Sequence, residues 1–416
     1  MNSKINFNNI KLYSRNAKGK ILVWYASTDL TLDADNKITI TIFYGQLGGS
    51  IQTKIRKVNS GKNIGKINQT TIEEQALLDI SYLYQKQLDD GYVFDLDSYT
   101  EPLRPQLAHP YEKRKHTVKF DYKHPTAPND YSNRYYASKK LDGVRLFVFV
   151  SNGKVVKFES RTGKLFKYFS HIATAIENNL SDIDKVLSNV VFDGELFNKN
   201  IPFNVLSSLI NSDDYTTTEF NSVTYTTEQV QFHCYDRVNL DKKEEDYFTR
   251  FVNVSIPAEN NIVFKIDNKI IKNEQDLITL GGKWISEGYE GLMLRNGWTP
   301  YDFGKRSNNL LKYKIMLDEE FLILDIIDSE NEPGQPIFVV EVQKATDKEE
   351  ALTCNVRMKG EKKENEKYLI NKKDYINKWL KVQYQTKSEY GVPLFGVGLH
   401  IRDGTYTVAA GFVPDV

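Results

Sequence analysis

Ser138-Lys139-Lys140-Leu141-Asp142-Gly143-Val144-Arg145 is the stretch that decides the fold, because it joins a charged turn to a strand. The apolar run 146–150 follows directly and is typical of a strand in the protein interior. A lysine in water is protonated, but a lysine held against an apolar wall beside other cations can attack as the free amine. Gly143 lets the backbone approach a ligand, and Arg145 offers a planar fork for phosphate or ribose oxygens. Lys140 is therefore a candidate nucleophile, although a surface Lys-Asp pair before a core strand has the same pattern.

Further along the chain, charged or aromatic residues repeatedly stand at the ends of apolar runs that indicate buried strands. The residues singled out by this position are Arg161, Glu195, Tyr235, Glu290, Lys312 and Lys314. Each segment alone has an ordinary explanation as a turn or a solvated strand end. Together they predict a pocket with a nucleophilic lysine, cations for a triphosphate, carboxylates for a metal and an aromatic ring for a base.

The acids of this predicted pocket also indicate which metal it would hold. Glu195 and Glu290 offer oxygen ligands, and no His or Cys cluster accompanies them. Hard cations prefer such ligands, so the pattern indicates Mg²⁺. Lys312 and Lys314 are two residues apart, and we expect them to share one face of a strand.

Length and charge narrow the class of protein. The chain has 416 residues, which predicts two or three domains, and its 40% hydrophobic and 26% charged residues are ordinary for a globular protein. The net charge is zero, so a nucleic-acid surface must be a local patch. Residues 1–70 hold eleven lysines and arginines against three aspartates, a local net charge of +8.

Cysteine content and hydropathy exclude further classes. Cys234 and Cys354 lie far apart, which excludes a Cys-rich zinc site and gives no sign of an oxidising compartment. The N-terminus lacks an apolar signal region, and no run reaches transmembrane length. We expect an intracellular, cytoplasmic protein that does not enter a membrane, and a monomer.

Residues 1–100 predict a small antiparallel sheet and one helix. β-branched and aromatic runs at 21–25, 38–44 and 51–57 indicate strands, the last with Lys54 and Arg56 on one face. Thr71-x-x-Glu74 predicts a capping box, and Asp90-Gly91 predicts the helix end. The apolar stripe expected for this helix consists of Leu77, Ile80, Tyr84 and Leu88. Gly61–Lys66 resembles a Walker A loop but is one residue too short and lacks the following Ser or Thr.

Residues 316–416 predict a small all-β domain. Strands are indicated at 321–327, 337–342, 379–385, 391–395 and 399–403. Lys344–Lys367 is highly charged, and we expect a solvated insertion or flexible loop there. Residues 101–125 are punctuated by prolines and indicate a linker.

Taken in order, these segments resemble the nucleotidyltransferase motifs of the covalent ligase and capping-enzyme superfamily, and especially the ATP-dependent DNA ligases of phage and viral type. The resemblance covers residues 100–416. It implies an α+β protein of several domains: a nucleotidyltransferase (ATP-grasp-like adenylation) domain at 101–316 and an OB-fold β-barrel at 317–416. Residues 1–100 resemble the WGR module, which is associated with DNA binding, with Tyr44 and Gln46 replacing its signature Trp and Arg.

For the nucleotide, the resemblance implies a role for each matching residue. Lys140 becomes adenylylated on its side-chain nitrogen, and the backbone at Ser138 helps to recognise adenine. Arg145 contacts the ribose, Arg161 meets phosphate, and Tyr235 stacks on adenine.

For the metal and the phosphates, the resemblance implies that Glu195 lies near the ribose and the metal, and that Glu290 is linked to the metal. Lys312 and Lys314 grip the α-phosphate. On the WGR-like module, the cationic strand with Lys54, Arg56 and Lys57 is expected to contact DNA.

The function implied is ligation of nicked double-stranded DNA with ATP and Mg²⁺, in replication, repair or recombination. Lys140 attacks the α-phosphorus of ATP, the AMP passes to a 5′-phosphate, and a 3′-hydroxyl displaces AMP and seals the strand.

Three other functions compete with this one. An RNA ligase or an mRNA-capping guanylyltransferase shares the same pocket, and this sequence leaves that choice open. An NAD-dependent ligase is disfavoured, because that family carries a four-cysteine zinc finger and this chain has two cysteines. A non-catalytic nucleic-acid-binding protein is disfavoured, because every charged position of the pocket is filled.

Overall fold

The computed structural model describes residues 8–16, 18–120, 135–257, 261–329, 332–344, 351–388, 390–407 and 411–414. The chain divides into two compact units. The first comprises Met1–Ile278 and Leu292–Lys312, and the second comprises Thr279–Gly291 and Tyr313–Val416.

The first unit begins with a four-stranded antiparallel sheet covered on one face by a helix, here called the N-terminal sheet. Its elements are β1 (Leu12–Arg15), β2 (Ile21–Ser27), β3 (Ile38–Gln46), β4 (Ile51–Val58) and α1 (Ile72–Asp89). Alternate isoleucines of β3 face the helix and pack against Ala76, Ile80 and Tyr84. This alternation is what a sheet with one buried face requires.

Helix α1 begins and ends where the sequence predicts. The capping box between Thr71 and Glu74 is present, and Gly91 follows the helix with φ +90°. The predicted apolar stripe is wrong at Leu77, which is exposed. The buried face follows positions 76, 80 and 84, and Leu77 lies about 100° round the helix from Ala76.

The rest of the first unit contains two five-stranded sheets and a hairpin. The strands are β5 (Leu107–Pro110), β6 (Tyr135–Lys140), β7 (Val144–Ser151), β8 (Lys154–Ser160), β9 (Val190–Phe197), β10 (Thr217–Phe220), β11 (Val223–Thr226), β12 (Gln231–Asn239), β13 (Val263–Lys265), β14 (Lys269–Ile271), β15 (Gly291–Asn296) and β16 (Arg306–Tyr313). The helices are α2 (Tyr111–Arg114), α3 (Ser170–Asn178), α4 (Asp182–Val186), α5 (Phe203–Asn211) and α6 (Tyr247–Val252). A further helix, α7 (Glu274–Ser286), begins in the first unit and ends in the second.

The order of strands explains where a site can form. One sheet has the order β13-β12-β9-β7-β8, and the other has the order β14-β6-β15-β16-β5. β6 and β7 are neighbours in the chain but belong to different sheets, so the turn between them connects the two sheets. Residues 101–120, predicted to be a linker, include β5 at the edge of the second sheet; residues 121–125 of that linker lie outside the described part.

The second unit contains a closed five-stranded barrel. Its elements are β17 (Leu317–Ser329), β18 (Glu332–Gln343), β19 (Leu352–Met358), α8 (Lys362–Ile370), β20 (Trp379–Tyr384), β21 (Thr386–Lys387), β22 (Pro393–Leu394), β23 (Val397–Arg402), β24 (Gly404–Thr407) and β25 (Gly411–Pro414). The barrel closes in the order β17-β18-β19-β23-β20. Phe321, Ile323, Phe338, Val356 and Leu380 are buried in its core.

The expectation of a solvated loop at Lys344–Lys367 is wrong for residues 351–367, where β19 and most of α8 lie. The exposed Asn355 and Arg357 of β19 alternate with Val356 and Met358, which are buried in the barrel core. Residues 345–350 lie outside the described part of the chain. None of the helices described above is both long enough and apolar enough to span a membrane.

Candidate active site

Lys140 ends β6 and Arg145 stands near the start of β7, on the two sides of the turn that connects the sheets. Gly143 lets this turn pack directly on β9, because a Cβ atom there would lie 2.3 Å from the carbonyl oxygen of Leu196 and 2.8 Å from Cγ of Glu195. In the antiparallel pair of β7 and β9, Arg145 stands opposite Glu195. Lys140 is close enough to Glu195 to favour its ionised form. The local sequence therefore brings a lysine, an arginine and a glutamate together.

Arg145 is held by a buried carboxylate. Asp193 accepts hydrogen bonds from Nε at 2.9 Å and from Nη2 at 2.5 Å, Nη1 donates to the backbone oxygen of Gln106 at 2.8 Å, and Nη2 also donates to the Tyr301 hydroxyl at 3.2 Å. Burial alone would lower the pKa of Arg145, but Asp193, Tyr235 and Tyr301 together outweigh it and the pKa lies well above its usual value. The Arg145 guanidinium group faces Asp193. Of its five N–H groups, one donates to no described residue and is available to a ligand.

Glu195 is a partly buried acid of the site. Burial raises the pKa of its carboxyl group to about 7, although Lys140 and Arg145 both act to lower it. The Tyr235 hydroxyl donates a hydrogen bond to Oε2 at 3.3 Å. A carboxyl group with this pKa changes charge near neutral pH.

Tyr235 owes its position to a β-bulge. The register of β12 against β9 shifts between Cys234 and Asp236, so Tyr235 is the extra residue and is released from the strand alternation. The guanidinium carbons of Arg295 and Arg145 lie 4.8 Å and 5.4 Å from its ring centroid. Both guanidinium groups are close enough for a cation–π attraction to this ring.

Ser138 joins the same cluster from β6. It is buried, and its hydroxyl accepts a hydrogen bond from Nη1 of Arg295 at 3.1 Å. Arg295 thus links Ser138 to the ring of Tyr235.

Glu290 and Lys314 belong to the second unit, where they form an ion pair with each other. Lys314 also donates to the side chain of Gln385 at 2.7 Å. β16 ends at Tyr313, so Lys312 lies on the strand in the first unit and Lys314 lies beyond its end. The expectation that both lysines share a strand face stays a prediction.

Arg161 is exposed on the turn that follows β8. Gly163 fixes this turn, since it has φ +92° and a Cβ atom there would lie 1.9 Å from Nη1 of Arg104. Arg104 in turn donates to the backbone oxygen of Asp89 at the end of α1, at 2.6 Å. The turn with Arg161 thus packs against Arg104, and Arg104 is hydrogen-bonded to α1 of the N-terminal sheet.

Lys54, Arg56 and Lys57 are exposed on β4, the edge strand of the N-terminal sheet. Lys54 and Arg56 stand opposite buried isoleucines of β3 and share the helix-covered face, while Lys57 lies on the other face. Arg56 forms an ion pair with Asp79 of α1 at 2.7 Å, and Lys57 forms one with Asp33 at 2.9 Å. The three cations therefore do not form one surface.

The sequence model of the protein family described as "ATP dependent DNA ligase domain" matches residues 105–314, half of the chain. The chain belongs to the ATP-dependent DNA ligase family. The matched range contains the β6–β7 turn and the other predicted site residues Arg161, Glu195, Tyr235, Glu290, Lys312 and Lys314.

Curated ligases match over a longer range. A DNA ligase of African swine fever virus (isolate Warthog/Namibia/Wart80/1980) is 27% identical over 303 residues, which is 72% of this chain and 66% of that protein. A DNA ligase of Nitrosopumilus maritimus (strain SCM1) is 25% identical over 221 residues, 51% of this chain and 34% of that protein. The chain thus spans 66% of the length of the viral ligase.

Solved structures show the same fold. The structure named Pmar-Lig_Pre has a TM-score of 0.57 at 20% identity, over 80% of this chain and 74% of that chain. A Lig E DNA ligase has a TM-score of 0.52 at 18% identity, over 72% of this chain and 99% of that chain.

Three residues of this ligase-family site escaped the sequence analysis. Asp193 holds Arg145, Arg295 contacts Ser138 and Tyr235, and Tyr301 donates to Asp193 at 2.5 Å. Asp193 had a usable signal, because it stands two positions before Glu195 on one strand and therefore shares its face. Tyr301 lies outside the strands and has no periodic signal.

Proposed function

We propose that this chain is a DNA ligase that uses ATP to seal nicks between a 5′-phosphate and a 3′-hydroxyl group. The observation that carries the proposal is the meeting of Lys140, Arg145, Glu195 and Tyr235 within the family's ligase domain. Lys140 is the nucleophile, since it stands beside the turn where these side chains converge.

The reaction has three steps. The Lys140 amine forms a bond to the α-phosphorus of ATP, and pyrophosphate leaves. A 5′-phosphate oxygen at the nick then attacks the same phosphorus, the lysine amine leaves, and the AMP is carried on the DNA end. The 3′-hydroxyl finally attacks the 5′-phosphate, a phosphodiester bond forms, and AMP leaves.

The side chains of the site fit a bound adenosine nucleotide. The Tyr235 ring receives the adenine, assisted by the backbone at Ser138, and the remaining N–H of Arg145 reaches the ribose. Glu195 accepts from the ribose hydroxyls when it is ionised. Because Asp193 fixes Arg145 before any ligand binds, this contact requires little reorganisation.

The phosphate contacts rest on the family resemblance. Arg161 meets phosphate, first of the nucleotide and then of the nick, and Lys312 and Lys314 grip the α-phosphate. Lys314 must release its ion pair with Glu290 to do so.

Mg²⁺ is the metal that fits the acids Glu195 and Glu290. The described residues contain no group of three or more His, Cys, Asp or Glu side chains arranged for a metal. Mg²⁺ commonly takes one or two carboxylates and completes its shell with water and substrate phosphates, so this sparse donor set suits it. When bound, the ion neutralises charge on the phosphates.

We assign the domains as a WGR-like module at 1–100, an adenylation domain at 101–316 and an OB-fold domain at 317–416. The barrel supports the last assignment: five strands close in the order first-second-third-fifth-fourth, with a helix between the third and fourth. Lys54, Arg56 and Lys57 of the module contact DNA phosphates.

The proposed partner is nicked double-stranded DNA, and the proposed state is a monomer. The proposed location is the cytoplasm, which is the host-cell cytoplasm if this chain is viral.

The test is the intact mass of the protein after incubation with ATP and Mg²⁺. We expect one added AMP on the wild type and on Lys139→Ala, and none on Lys140→Ala, which should retain its circular dichroism spectrum. AMP addition to Lys140→Ala would show that another residue is the nucleophile. Addition of GMP from GTP, without addition of AMP from ATP, would favour a capping enzyme over a ligase. Sealing of nicked RNA without sealing of nicked DNA would replace it by an RNA ligase.

A further inference from the structure

The loop between β4 and α1, residues 59–71, has a defined structure and does not resemble a flexible connection. Its two ends are tied together, because Thr70 N donates to Lys62 O at 3.0 Å and Lys62 N donates to the Thr70 hydroxyl at 2.9 Å. Gly61 lies so close to Thr70 that a Cβ atom would be 1.8 Å from its carbonyl oxygen. Inside the loop, Gly65 N donates to the Gln69 side chain at 2.7 Å. This β4–α1 loop therefore holds its tip in a fixed shape.

Two isoleucines stand at that tip. Ile64 is 76% exposed and Ile67 is fully exposed, in a loop whose backbone forms several internal hydrogen bonds. Single exposed apolar residues are common on protein surfaces. Two on one fixed loop form an apolar projection that nothing in the described part of the chain covers.

Cations surround this projection. Residues 51–70 contain five lysines and arginines and no acid. Arg56 and Lys57 are paired with Asp79 and Asp33, but no ion pair is formed by Lys54, Lys62 or Lys66 within the described residues. The nearest acids in sequence, Glu73 and Glu74, lie in the first turn of α1, where Glu74 is engaged in the capping box.

We infer that the β4–α1 loop binds duplex DNA, with Lys62 and Lys66 on phosphates and with Ile64 and Ile67 against the sugars and base edges of a groove. Cations that flank apolar side chains match the chemistry of a DNA groove, whose walls are phosphates and whose floor is partly apolar. This inference rests on the proposed ligase function and adds a second DNA contact, separate from the strand cations Lys54, Arg56 and Lys57.

The two kinds of side chain predict different salt dependences. Lys62→Gln/Lys66→Gln should reduce the slope of log affinity against log salt by about 1.8, since each phosphate contact contributes about 0.9. Ile64→Ser/Ile67→Ser should weaken binding about fivefold without changing the slope, because no counterion is released by an apolar contact. The measurement is fluorescence anisotropy of a nicked duplex with the full chain, without ATP, over a salt series.

Matched controls are available elsewhere in the first unit. Lys18→Gln/Lys20→Gln removes the same charge from the exposed β1–β2 turn, and Ile183→Ser removes an isoleucine that is 67% exposed on α4. We expect affinities within twofold of the wild type for both controls, by the usual small effect of surface changes. Loop variants that behave like these controls would overturn the inference.

Apolar side chains among lysines also fit an anionic membrane surface. Co-sedimentation with vesicles of phosphatidylserine and phosphatidylcholine tests this. Vesicle binding that both loop double variants lose, with unchanged DNA affinity, would overturn the inference in favour of a lipid surface. AMP addition to the wild type and to the same variants is measured in parallel. If the wild type takes up no AMP, the proposed function fails. If the loop variants take up AMP normally and bind DNA as the wild type does, only the loop contact is refuted.

Discussion

Arg145 in the candidate active site and Arg56 on the N-terminal sheet both pair with an aspartate, but in different surroundings. The side chains of Arg145 and Asp193 are 15% and 1% exposed, whereas those of Arg56 and Asp79 are 42% and 13% exposed. A buried charge left without its partner is costly, while an exposed pair contributes little and is weakened by salt. The site thus holds its cation rigidly for a small ligand, and the sheet holds its cation loosely enough for exchange with a polyanion.

The largest effect expected from this difference concerns stability. Asp193→Asn leaves the Arg145 charge buried without a carboxylate and should lower the free energy of unfolding by about 3–5 kcal/mol. Asp79→Asn, the matched control at the surface pair, should change it by about 1 kcal/mol or less. Denaturant unfolding of both variants measures the contrast. Equal losses in the two variants would show that burial does not distinguish the pairs.

The second effect concerns pH. Because burial raises the pKa of Glu195 to about 7, its carboxyl group is neutral below that pH and cannot offer a negative charge to a ribose or a metal. The Glu195-dependent part of the single-turnover rate of AMP addition at low ATP should rise about tenfold per pH unit up to about pH 7 and then level off. Glu195→Gln should react more slowly and lose the part of this rise that belongs to Glu195. A full rise retained in Glu195→Gln would assign it to another group.

The same pKa predicts the sign of a stability change. A carboxyl group whose pKa is raised in the folded state binds a proton more tightly there than in the unfolded chain. Its stabilising contribution is therefore complete below the usual glutamate pKa and is lost as the pH rises to about 7. Glu195→Gln should remove this pH-dependent loss from the unfolding curves.

A third effect distinguishes a fixed turn from an open one. Gly163 and Gly48 have similar positive φ angles, but a Cβ atom at Gly163 would meet Arg104, whereas none lies within 4 Å at Gly48. Both Gly→Ala changes carry the left-handed backbone cost of about 1–2 kcal/mol. Gly163→Ala should also displace the Arg161 turn and slow nick sealing about tenfold, because small displacements of a positioning group reduce rates steeply. Nick sealing by Gly48→Ala should stay near the wild-type rate. If both variants sealed nicks equally slowly, the loss would not come from displacement of Arg161.

Local signals predicted the elements, and long-range contacts account for what they missed. The capping box at Thr71 depends on a residue only three positions away, so the sequence contains its cause. Arg295 and Ser138 are 157 residues apart, and Arg145 and Tyr301 are 156 apart. No periodicity along the chain encodes such pairs.

One sequence prediction failed for a related reason. Leu77 fits an apolar stripe, but the sheet that packs on α1 covers the adjacent face. The partner surface decides which residues of a helix are buried, and a partner surface is a property of the folded chain.

The smallest effect expected concerns the exchangeable cations of the N-terminal sheet, and it has opposite signs in two variants. Lys54→Gln removes a cation with no ion pair among the described residues, so nicked-DNA affinity should fall about threefold and the salt slope should fall by about 0.9. Asp79→Asn frees Arg56 and removes a negative charge, so affinity should rise by a similar factor at low salt. Anisotropy of a nicked duplex over a salt series measures both variants. If both left the affinity unchanged, DNA would not reach this face of the sheet. A fall in both would mean that the Arg56–Asp79 pair orders the surface that DNA meets, and the loose pairing inferred for the sheet would be wrong.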